Sequence, residues 1–378
     1  MKKLYSLFDH CRSFVPGSIR AGIRRAIPLS NYDAFLWEKQ NQYAGEPAEY
    51  NINGSPFTAG ILADKRQYHR HWIGACRDLD VSYRLIELAK ADWLEKIAIS
   101  DCDIYLVWPD VSSVEQKTMF DERLNIMVHQ MNKQIYPSFL ETWLYENKRL
   151  QHYWMKANQL PVPQTWIFYN LEEAIDFSRS CSYPIVFKCN LGASSSGVFM
   201  LESKRRANKM IKRAFKSGIR LKRGNIYNRQ QRNVYFQEYL SDVKEWRMVR
   251  IGDSYFGHGK ERVGKFHSGS HKVSWDLPPK IAFDLLKKIT DIGGFTSMNV
   301  DLFETEDGNL FINELQTVFG TSIAKEQMKI NGEPGRYVYE DDIWQFEPGS
   351  FCANHICNLR LEYLLRMLKD KNETGKAR

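Results

Sequence analysis

The stretch VDLFETEDGNLFINELQ, residues 300–316, decides how the second half of this chain folds. Asp307-Gly308 lies near its centre, and Asp-Gly is the strongest short signal for a two-residue turn between antiparallel strands. A turn at that place puts Asp301 directly opposite Glu314. Two carboxylates opposed across a hairpin repel each other, so a fold that keeps them needs a compensating cation. The simplest such cation is Mg2+, and the alternative is a solvated acidic hairpin.

A second motif lies upstream of this hairpin. The run Tyr183-Pro-Ile-Val-Phe-Lys188 is typical of a short buried strand that ends in a lysine. The next ten residues, CNLGASSSGV, are rich in glycine and serine, which let a backbone approach a polyanion and turn N–H groups toward it. Gly192 and Gly197 have the spacing of a P-loop, but Val198-Phe199 stands where that motif requires Lys-Ser/Thr. The lysine of this motif therefore comes before the loop.

The strand, the lysine, the Gly/Ser loop and the later pair of carboxylates together resemble the ATP-grasp ligases. D-alanine:D-alanine ligase, glutathione synthase and the glutamate ligases that modify ribosomal proteins belong to that superfamily. The resemblance covers about residues 137–325. It implies an α/β (α+β) chain with an ATP-grasp fold, an N-terminal α/β pre-ATP-grasp domain, and ATP and Mg2+ as cofactors.

The resemblance also implies a nucleotide site with residues from several places in the sequence. Lys148, which precedes Leu160-Pro-Val-Pro163, is similar to the family's earlier nucleotide lysine, and Lys188 to its phosphate lysine. Glu245 matches the acidic residue that holds the ribose hydroxyls. The loop over the phosphates and the backbone that faces the adenine would come from Ser194, Ser195, Ser196 and Gly197, and from Gln237, Glu238, Tyr239 and Leu240.

By the same resemblance Asp301, Glu314 and Gln316 are the Mg2+ ligands, since hard oxygen donors complete an octahedral site with ATP phosphates. The family usually has asparagine at the position of Gln316. The dipeptide ligases place an arginine at the position of Asn299, so either the charge that stabilises the reacting centre comes from elsewhere or the reacting centre is different. The candidate catalytic residues are Arg247, Lys260 and Arg262.

The resemblance implies an ATP-dependent carboxylate–amine ligase that forms an amide through an acyl phosphate. The sequence leaves open whether an amino acid, a peptide or an acidic sugar precursor is the acceptor. Two alternatives remain: a kinase of the same architecture that phosphorylates a hydroxyl, and a non-catalytic ATP-binding protein. The expected partners are small carboxylates and amines, and the oligomeric state is not encoded in any pattern.

The net charge of +8 comes from one segment. Residues 204–232 hold twelve Lys/Arg and no Asp/Glu, so the remaining 45 acidic residues outnumber the basic ones elsewhere. Apolar residues recur there at helical spacing, which predicts an amphipathic helix followed by a basic loop. This segment is either a solvated face or an electropositive surface for a phosphorylated substrate, an acidic glycan or a membrane face. Nucleic acid is not expected, because aromatic residues are sparse and no recognition motif is present.

Length predicts two or three domains. We expect a basic N-terminal extension at 1–50, the α/β domain at 51–136, an ATP-grasp domain at 137–345 with a small nucleotide-covering subdomain at about 161–240, and a C-terminal helix and tail at 346–378. Strands are predicted at Phe57–Ala63, Val81–Ile86 and Asp103–Val107, helices near 68–76, 92–97 and 358–368, and a disordered tail at 369–378.

The resemblance implies that the first of these domains helps to bind the acceptor. The loop Val107–Asp110 follows a predicted strand, where ligands of open α/β sheets bind. The N-terminus lacks the apolar run of a signal peptide, and no stretch reaches the roughly 20 apolar residues of a membrane helix. Seven scattered cysteines fit a reducing compartment. We therefore expect a cytoplasmic protein, with peripheral membrane contact as a further possibility.

Overall fold

The computed structural model describes residues 46–64, 68–192, 195–222, 228–261, 273–319 and 328–375. The chain divides into two compact units, one of residues 1–135 with 223–228 and one of residues 136–222 with 229–378. The proposed extension at 1–50 lies almost wholly outside the described residues. In the described part of the chain, no helix combines the length and apolarity needed to cross a bilayer.

The first unit is built on a five-stranded sheet with the order β1-β3-β2-β4-β5. Its strands are β1 (Glu49–Tyr50), β2 (Thr58–Ala63), β3 (Ser82–Glu87), β4 (Ile104–Leu106) and β5 (Ile135–Tyr136), and its helices are α1 (Arg70–Asp78), α2 (Trp93–Ile99) and α3 (Val114–His129). Strands β3 and β4 pair in parallel with opposite sides of β2. The three predicted strands and the two predicted helices are confirmed, within two residues at each end.

The second unit contains a four-stranded sheet with the order β6-β11-β7-β8. Its members are β6 (Thr165–Phe168), β7 (Ile185–Lys188), β8 (Val198–Leu201) and β11 (Val234–Glu238), and it is covered by α6 (Leu171–Ser180) and α7 (Lys204–Lys216). Phe187 and Phe236 face these helices in a closed core. Because side chains alternate along a strand, Lys188 and Gln237 point to the opposite face of this sheet.

The amphipathic helix predicted in the basic segment is confirmed as α7. The basic loop predicted after it is wrong in part, because β9 (Ile219–Arg220) and β10 (Arg229–Gln230) pair with each other as a short antiparallel ribbon. Residues 223–227 between them lie outside the described part.

A larger sheet completes the second unit, with β16-β15-β12-β13-β18-β17 as its main path. Its strands are β12 (Lys244–Ile251), β13 (Ser254–Lys260), β14 (Val273–Ser274), β15 (Ser297–Glu304), β16 (Leu310–Gln316), β17 (Lys329–Ile330), β18 (Glu333–Glu340) and β19 (Ile343–Pro348). The helices are α4 (Phe139–Leu144), α5 (Lys148–Ala157), α8 (Lys280–Gly293) and α9 (Cys357–Gly375). Helix α9 continues to Gly375, so the disordered tail predicted from 369 is wrong for residues 369–375.

The buried apolar residues of this sheet fix the side to which the polar residues of its strands point. Met248, Val300 and Leu302 are fully buried against Leu286 and Ile289 of α8. With period-2 alternation, burying these residues turns their neighbours in β12 and β15 to the opposite side. The polar residues that the sequence singles out in these strands therefore share one face.

The turn of the β15–β16 hairpin differs from the prediction. Strand pairing ends at Glu304 and Leu310, and the Gly308 N–H donates to the Thr305 carbonyl at 2.9 Å. Gly308 has φ of 79°, so the connection is a type I turn followed by a left-handed glycine, with three residues between Thr305 and Asn309. The predicted two-residue turn is wrong.

The register at the carboxylates is nevertheless the predicted one, with Asp301 opposite Glu314. The next pair on the same face is Asn299 with Gln316. A β-bulge between Asp301 and Leu302 leaves Asn313 as an extra residue on β16. The longer turn shifts the pairing by one residue, and the bulge shifts it back. The bulge therefore restores Glu314 to the face of Asp301.

Candidate functional site

A row of polar residues runs across four adjacent strands on one face of the large sheet. In β13, β12, β15 and β16 the cross-strand neighbours are His258, Arg247, Asp301 and Glu314. Burial lowers the pKa of His258 to about 4, so this imidazole is neutral at ordinary pH. The row thus brings a cation between a neutral histidine and two carboxylates.

Asp301 is held by two side-chain cations. Its Oδ1 and Oδ2 accept from Arg247 Nε at 3.1 Å and Nη2 at 3.2 Å, and Lys260 Nζ also donates to Oδ2. Burial would raise the pKa of Asp301, but Arg247 and Lys260 hold it well below its usual range. The hairpin carboxylate therefore has protein cations as its partners in this structure, and the Mg2+ site stays a prediction.

Lys260 joins Asp301 to Glu245. Its Nζ donates to Glu245 Oε1 at 2.6 Å, and Glu245 is buried opposite it across β12 and β13. The carboxylate predicted to hold ribose hydroxyls is thus engaged by a lysine in this structure. Of the three candidate catalytic residues, Arg247 and Lys260 meet at Asp301, and Arg262 lies outside the described residues.

The two candidate nucleotide lysines contact adjacent residues of β16, Lys148 at Glu314 and Lys188 at Asn313. Lys148 Nζ is 3.0 Å from Glu314 Oε1 and donates to the Gly192 carbonyl at 3.0 Å. Burial would lower the pKa of Lys148, but Glu314 and Glu146 raise it above its usual value. Lys148 is therefore the charged partner of Glu314.

Lys188 is in a different electrostatic state. Its side chain is only 7% exposed, and its Nζ donates to the neutral amide oxygen of Asn313 at 2.8 Å. Burial lowers the pKa of Lys188 to about 8, with Lys148 lowering it further and Glu314 opposing. Within the described residues Lys188 forms no ion pair. A buried ammonium without a carboxylate is a site for an anion brought by a ligand.

Two amides around these lysines carry functions that sequence patterns did not reveal. Asn313 is the bulge residue, and the bulge directs its oxygen to Lys188. Gln151 of α5 is 1% exposed, and its Nε2 donates to the carbonyls of Leu144 and Leu315 at 2.8 Å each. The Leu315 N–H donates back to Gln151 Oε1 at 3.2 Å. Gln151 thus pairs with the backbone at the free edge of β16. This contact fixes the strand next to Glu314, which lies 3.0 Å from Lys148.

We expect Gln151→Leu to destabilise the fold by about 2 kcal/mol or more, because it leaves buried backbone groups of Leu315 and Leu144 without partners. Lys156→Leu on the exposed side of the same helix is the matched control, with a change within about 0.5 kcal/mol. Urea unfolding measures both. Equal stabilities of the two variants would show that Gln151 does not fasten the strand edge.

The predicted adenine-facing segment ends β11 and continues past it. Gln237 lies on the face of Lys188, and its Nε2 donates to Thr165 Oγ1 at 3.1 Å. The Glu238 N–H donates to the Gln164 carbonyl at 2.9 Å, so that donor is already used. Tyr239 and Leu240 follow the strand and are half-buried. Glu238 is half-buried as well, so only Gln237 of these four residues is buried away from a ligand.

The predicted phosphate loop is described from Ser195 onward, and Ser194 lies outside the described residues. Ser195 has a left-handed φ of 57°. The Gly197 carbonyl accepts from the Cys189 N–H at 2.8 Å, and a Cβ on Gly197 would lie 2.7 Å from Cys189 Cβ. The Ser196 carbonyl accepts from the Lys222 N–H at 2.7 Å. Glycine is therefore required where the loop closes on the end of β7.

The proposed Mg2+ ligands form an all-oxygen donor set. Asp301 and Glu314 are opposed, Gln316 is half-buried beside fully buried Asn299, and Asn299 Nδ2 donates to Asp301 Oδ1 at 3.3 Å. Among the described residues, Asn299 Oδ1 and Glu314 Oε1 are buried oxygens without a hydrogen bond, although Lys148 lies near the latter. Such oxygens fit a hard cation.

The described residues contain no group of three or more His, Cys, Asp or Glu side chains that could hold a metal. Two carboxylates and an amide are therefore too few to enclose Mg2+ alone. The phosphates of a nucleotide would have to supply further ligands, as in sites where Mg2+ is bound together with its substrate.

A second polar cluster belongs to the first unit by itself. Asp110 follows β4, while His69, Arg70 and His71 form the N-terminal end of α1 after β2, and all four are buried. These residues follow the carboxyl ends of β2 and β4. Because β3 and β4 lie on opposite sides of β2, the strand order reverses at this place in the sheet. Ligands of open α/β sheets bind there. The sequence indicated only the loop Val107–Asp110.

Comparison with known proteins identifies the fold. The D-alanine–D-alanine ligase of Bacillus anthracis superposes with a TM-score of 0.53 at 14% identity, over 83% of this chain and 99% of that one. The biotin carboxylase domain of the Hydrogenobacter thermophilus 2-oxoglutarate carboxylase, solved with MgADP, ADP and bicarbonate, gives 0.51 at 13% identity, over 70% of this chain and 64% of that one. The chain has the ATP-grasp fold.

Sequence comparison reaches less of the chain. Phosphoribosylamine–glycine ligase of Clostridium acetobutylicum is 26% identical over 140 residues, which cover 37% of this chain and 30% of that protein. The chain thus matches less than a third of that relative's length. No family model matches the sequence.

Proposed function

We propose that this protein is an ATP-dependent ligase that joins a carboxylate to an amine. The observation that carries the proposal is Lys188, a buried ammonium without an ion pair among the described residues, whose Nζ donates to Asn313 next to Glu314. A phosphate group would supply the missing anion. The biotin carboxylase domain solved with MgADP and ADP supports the assignment of this site to a nucleotide.

In this proposal Lys148 and Lys188 hold the nucleotide phosphates, with the loop from Ser195 to Gly197 beside them. Asp301, Glu314 and Gln316 would bind Mg2+, which neutralises phosphate charge during transfer. Arg247 and Lys260, which bind Asp301, would add positive charge to the same site.

Arg247 is suited to a second role in the same place. Two of its nitrogens bind Asp301, and the described residues offer no hydrogen-bond acceptor to the third, Nη1. Arg247 is partly exposed, with 28% of its side chain accessible. Nη1 can therefore donate to the substrate carboxylate or to the phosphoryl oxygens while the guanidinium stays oriented by Asp301.

The reaction would proceed in two balanced steps. A carboxylate oxygen of the first substrate attacks the γ-phosphorus of ATP, ADP leaves, and an acyl phosphate forms. The nitrogen of the second substrate then attacks the acyl carbon, phosphate leaves, and the nitrogen loses a proton. We further propose that the buried polar cluster at the sheet edge of the first unit contributes to acceptor binding.

Oxygen-18 transfer tests this proposal. ADP release is first screened against a matrix of carboxylates and amines, and the active carboxylate is then labelled with oxygen-18. We expect one labelled oxygen to appear in inorganic phosphate, because the acyl-phosphate oxygen leaves with phosphorus, and mass spectrometry should detect an amide product. Unlabelled phosphate would mean that water attacks ATP and would contradict ligase chemistry. A phosphoester product without release of phosphate would instead favour a kinase.

A further inference from the structure

Helix α7 carries seven Lys/Arg residues and no Asp/Glu in its 13 residues. Its buried residues Ala207, Ile211 and Ala214 are part of the subdomain core. At about 100° per residue, six of the basic residues lie within an arc of about 120° opposite that buried side. These six exposed residues are Arg205, Arg206, Lys209, Lys212, Arg213 and Lys216.

This basic face is not neutralised by its surroundings. Among the described residues only Arg206 has an ion-pair partner, Glu202. The neighbouring helix α6 has exposed carboxylates, but Asp176 pairs with Arg179 on its own helix. The two helices contact each other through Ser178 and Asn208 rather than through charges. The face therefore keeps nearly its full positive charge toward solvent.

The basic face of α7 lies on the opposite side of the four-stranded sheet from Lys188 and the proposed phosphate site. Phe187 and Phe236 lie between the helix and the sheet, while Lys188 points to the other side of the same sheet. An anion bound by α7 is thus on the far side of the subdomain from Lys188. The basic face is not a part of the phosphate site.

We propose that α7 is a docking surface for a membrane that contains anionic phospholipid. A convex helix face with six long cationic side chains can contact many lipid head groups at once. The helix has one aromatic residue, half-buried Phe215, so the stacking contacts typical of nucleic-acid binding have no basis. The apolar arc is fixed in the core, so the helix adsorbs through charge without insertion into the bilayer.

Vesicle flotation with purified protein tests the proposal. We expect binding to phosphatidylcholine vesicles that contain phosphatidylglycerol, and none to phosphatidylcholine alone. The variant Lys209→Glu/Lys212→Glu/Lys216→Glu should bind at least about tenfold more weakly, which corresponds to about 1.4 kcal/mol. Raising salt from about 0.1 M to 1 M shortens the screening length from about 10 Å to 3 Å and should release the wild-type protein.

The matched control is Lys90→Glu/Lys280→Glu/Lys288→Glu, which changes the net charge equally at exposed positions outside α7. We expect this control to keep wild-type binding, and thermal unfolding of both variants should match the wild type. An equal loss of vesicle binding in the two variants would show that binding depends only on net charge, and this would overturn the proposal. Binding of α7 to soluble heparin but to neither vesicle would also overturn it, in favour of an acidic polymer.

Discussion

Replacement of Glu314 by glutamine is expected to abolish Mg2+-dependent ATP turnover, with a loss of at least about a hundredfold, or about 2.7 kcal/mol. Glutamine keeps the shape of the side chain but removes the charge that faces Asp301 and pairs with Lys148 at 3.0 Å. The proposed cation would then keep one carboxylate ligand. ADP release measured over a range of Mg2+ concentrations gives the result.

The matched control for Glu314→Gln is Glu306→Gln, in the exposed turn of the same hairpin. It makes the same chemical change without touching the proposed site, so turnover should stay at the wild-type level. Circular dichroism and thermal unfolding should show both variants folded. Near wild-type turnover of folded Glu314→Gln protein would remove Glu314 from the metal site.

Lys188→Ala is expected to weaken ATP binding and to lower turnover by at least about tenfold, or about 1.4 kcal/mol for loss of a charged phosphate contact. Lys188→Met should give the same loss while it keeps the apolar stem, since only the ammonium is removed. Isothermal titration calorimetry measures the affinity. Lys216→Met, at an exposed position of α7, is the control.

The two Lys188 variants also separate binding from stability. A buried ammonium without an ion pair among the described residues costs desolvation free energy in the unliganded protein. Lys188→Met should therefore unfold no more easily than the wild type without nucleotide, yet gain less stability when ATP is added. Unchanged nucleotide affinity in both variants would assign the lysine and its loop to another role.

The hairpin shows how local patterns predicted a site despite an error. Alternation along β15 fixes the face of Asp301, because Val300 and Leu302 are buried on the other face, and the bulge brings Glu314 onto the same side. The turn prediction was one residue short, and the bulge at Asn313 cancelled the shift. Asp-Gly signals a turn, but the choice between a two-residue and a three-residue loop depends on strand pairing beyond it.

From short-range periodicity the sequence alone predicted the three strands of the first unit, the end of β7 at Lys188 and the polar face of the hairpin. The ATP-grasp fold was predicted from the resemblance of its motifs to that family. Only the tertiary structure decided the charge partners. Arg247 reaches Asp301 across 54 residues of sequence, and Gln151 reaches Leu315 across 164. The tertiary structure likewise pairs Lys148 with Glu314 and gives Lys188 the neutral amide of Asn313 as its partner. Pairing between distant strands and helices depends on which elements pack together, and no local pattern encodes it.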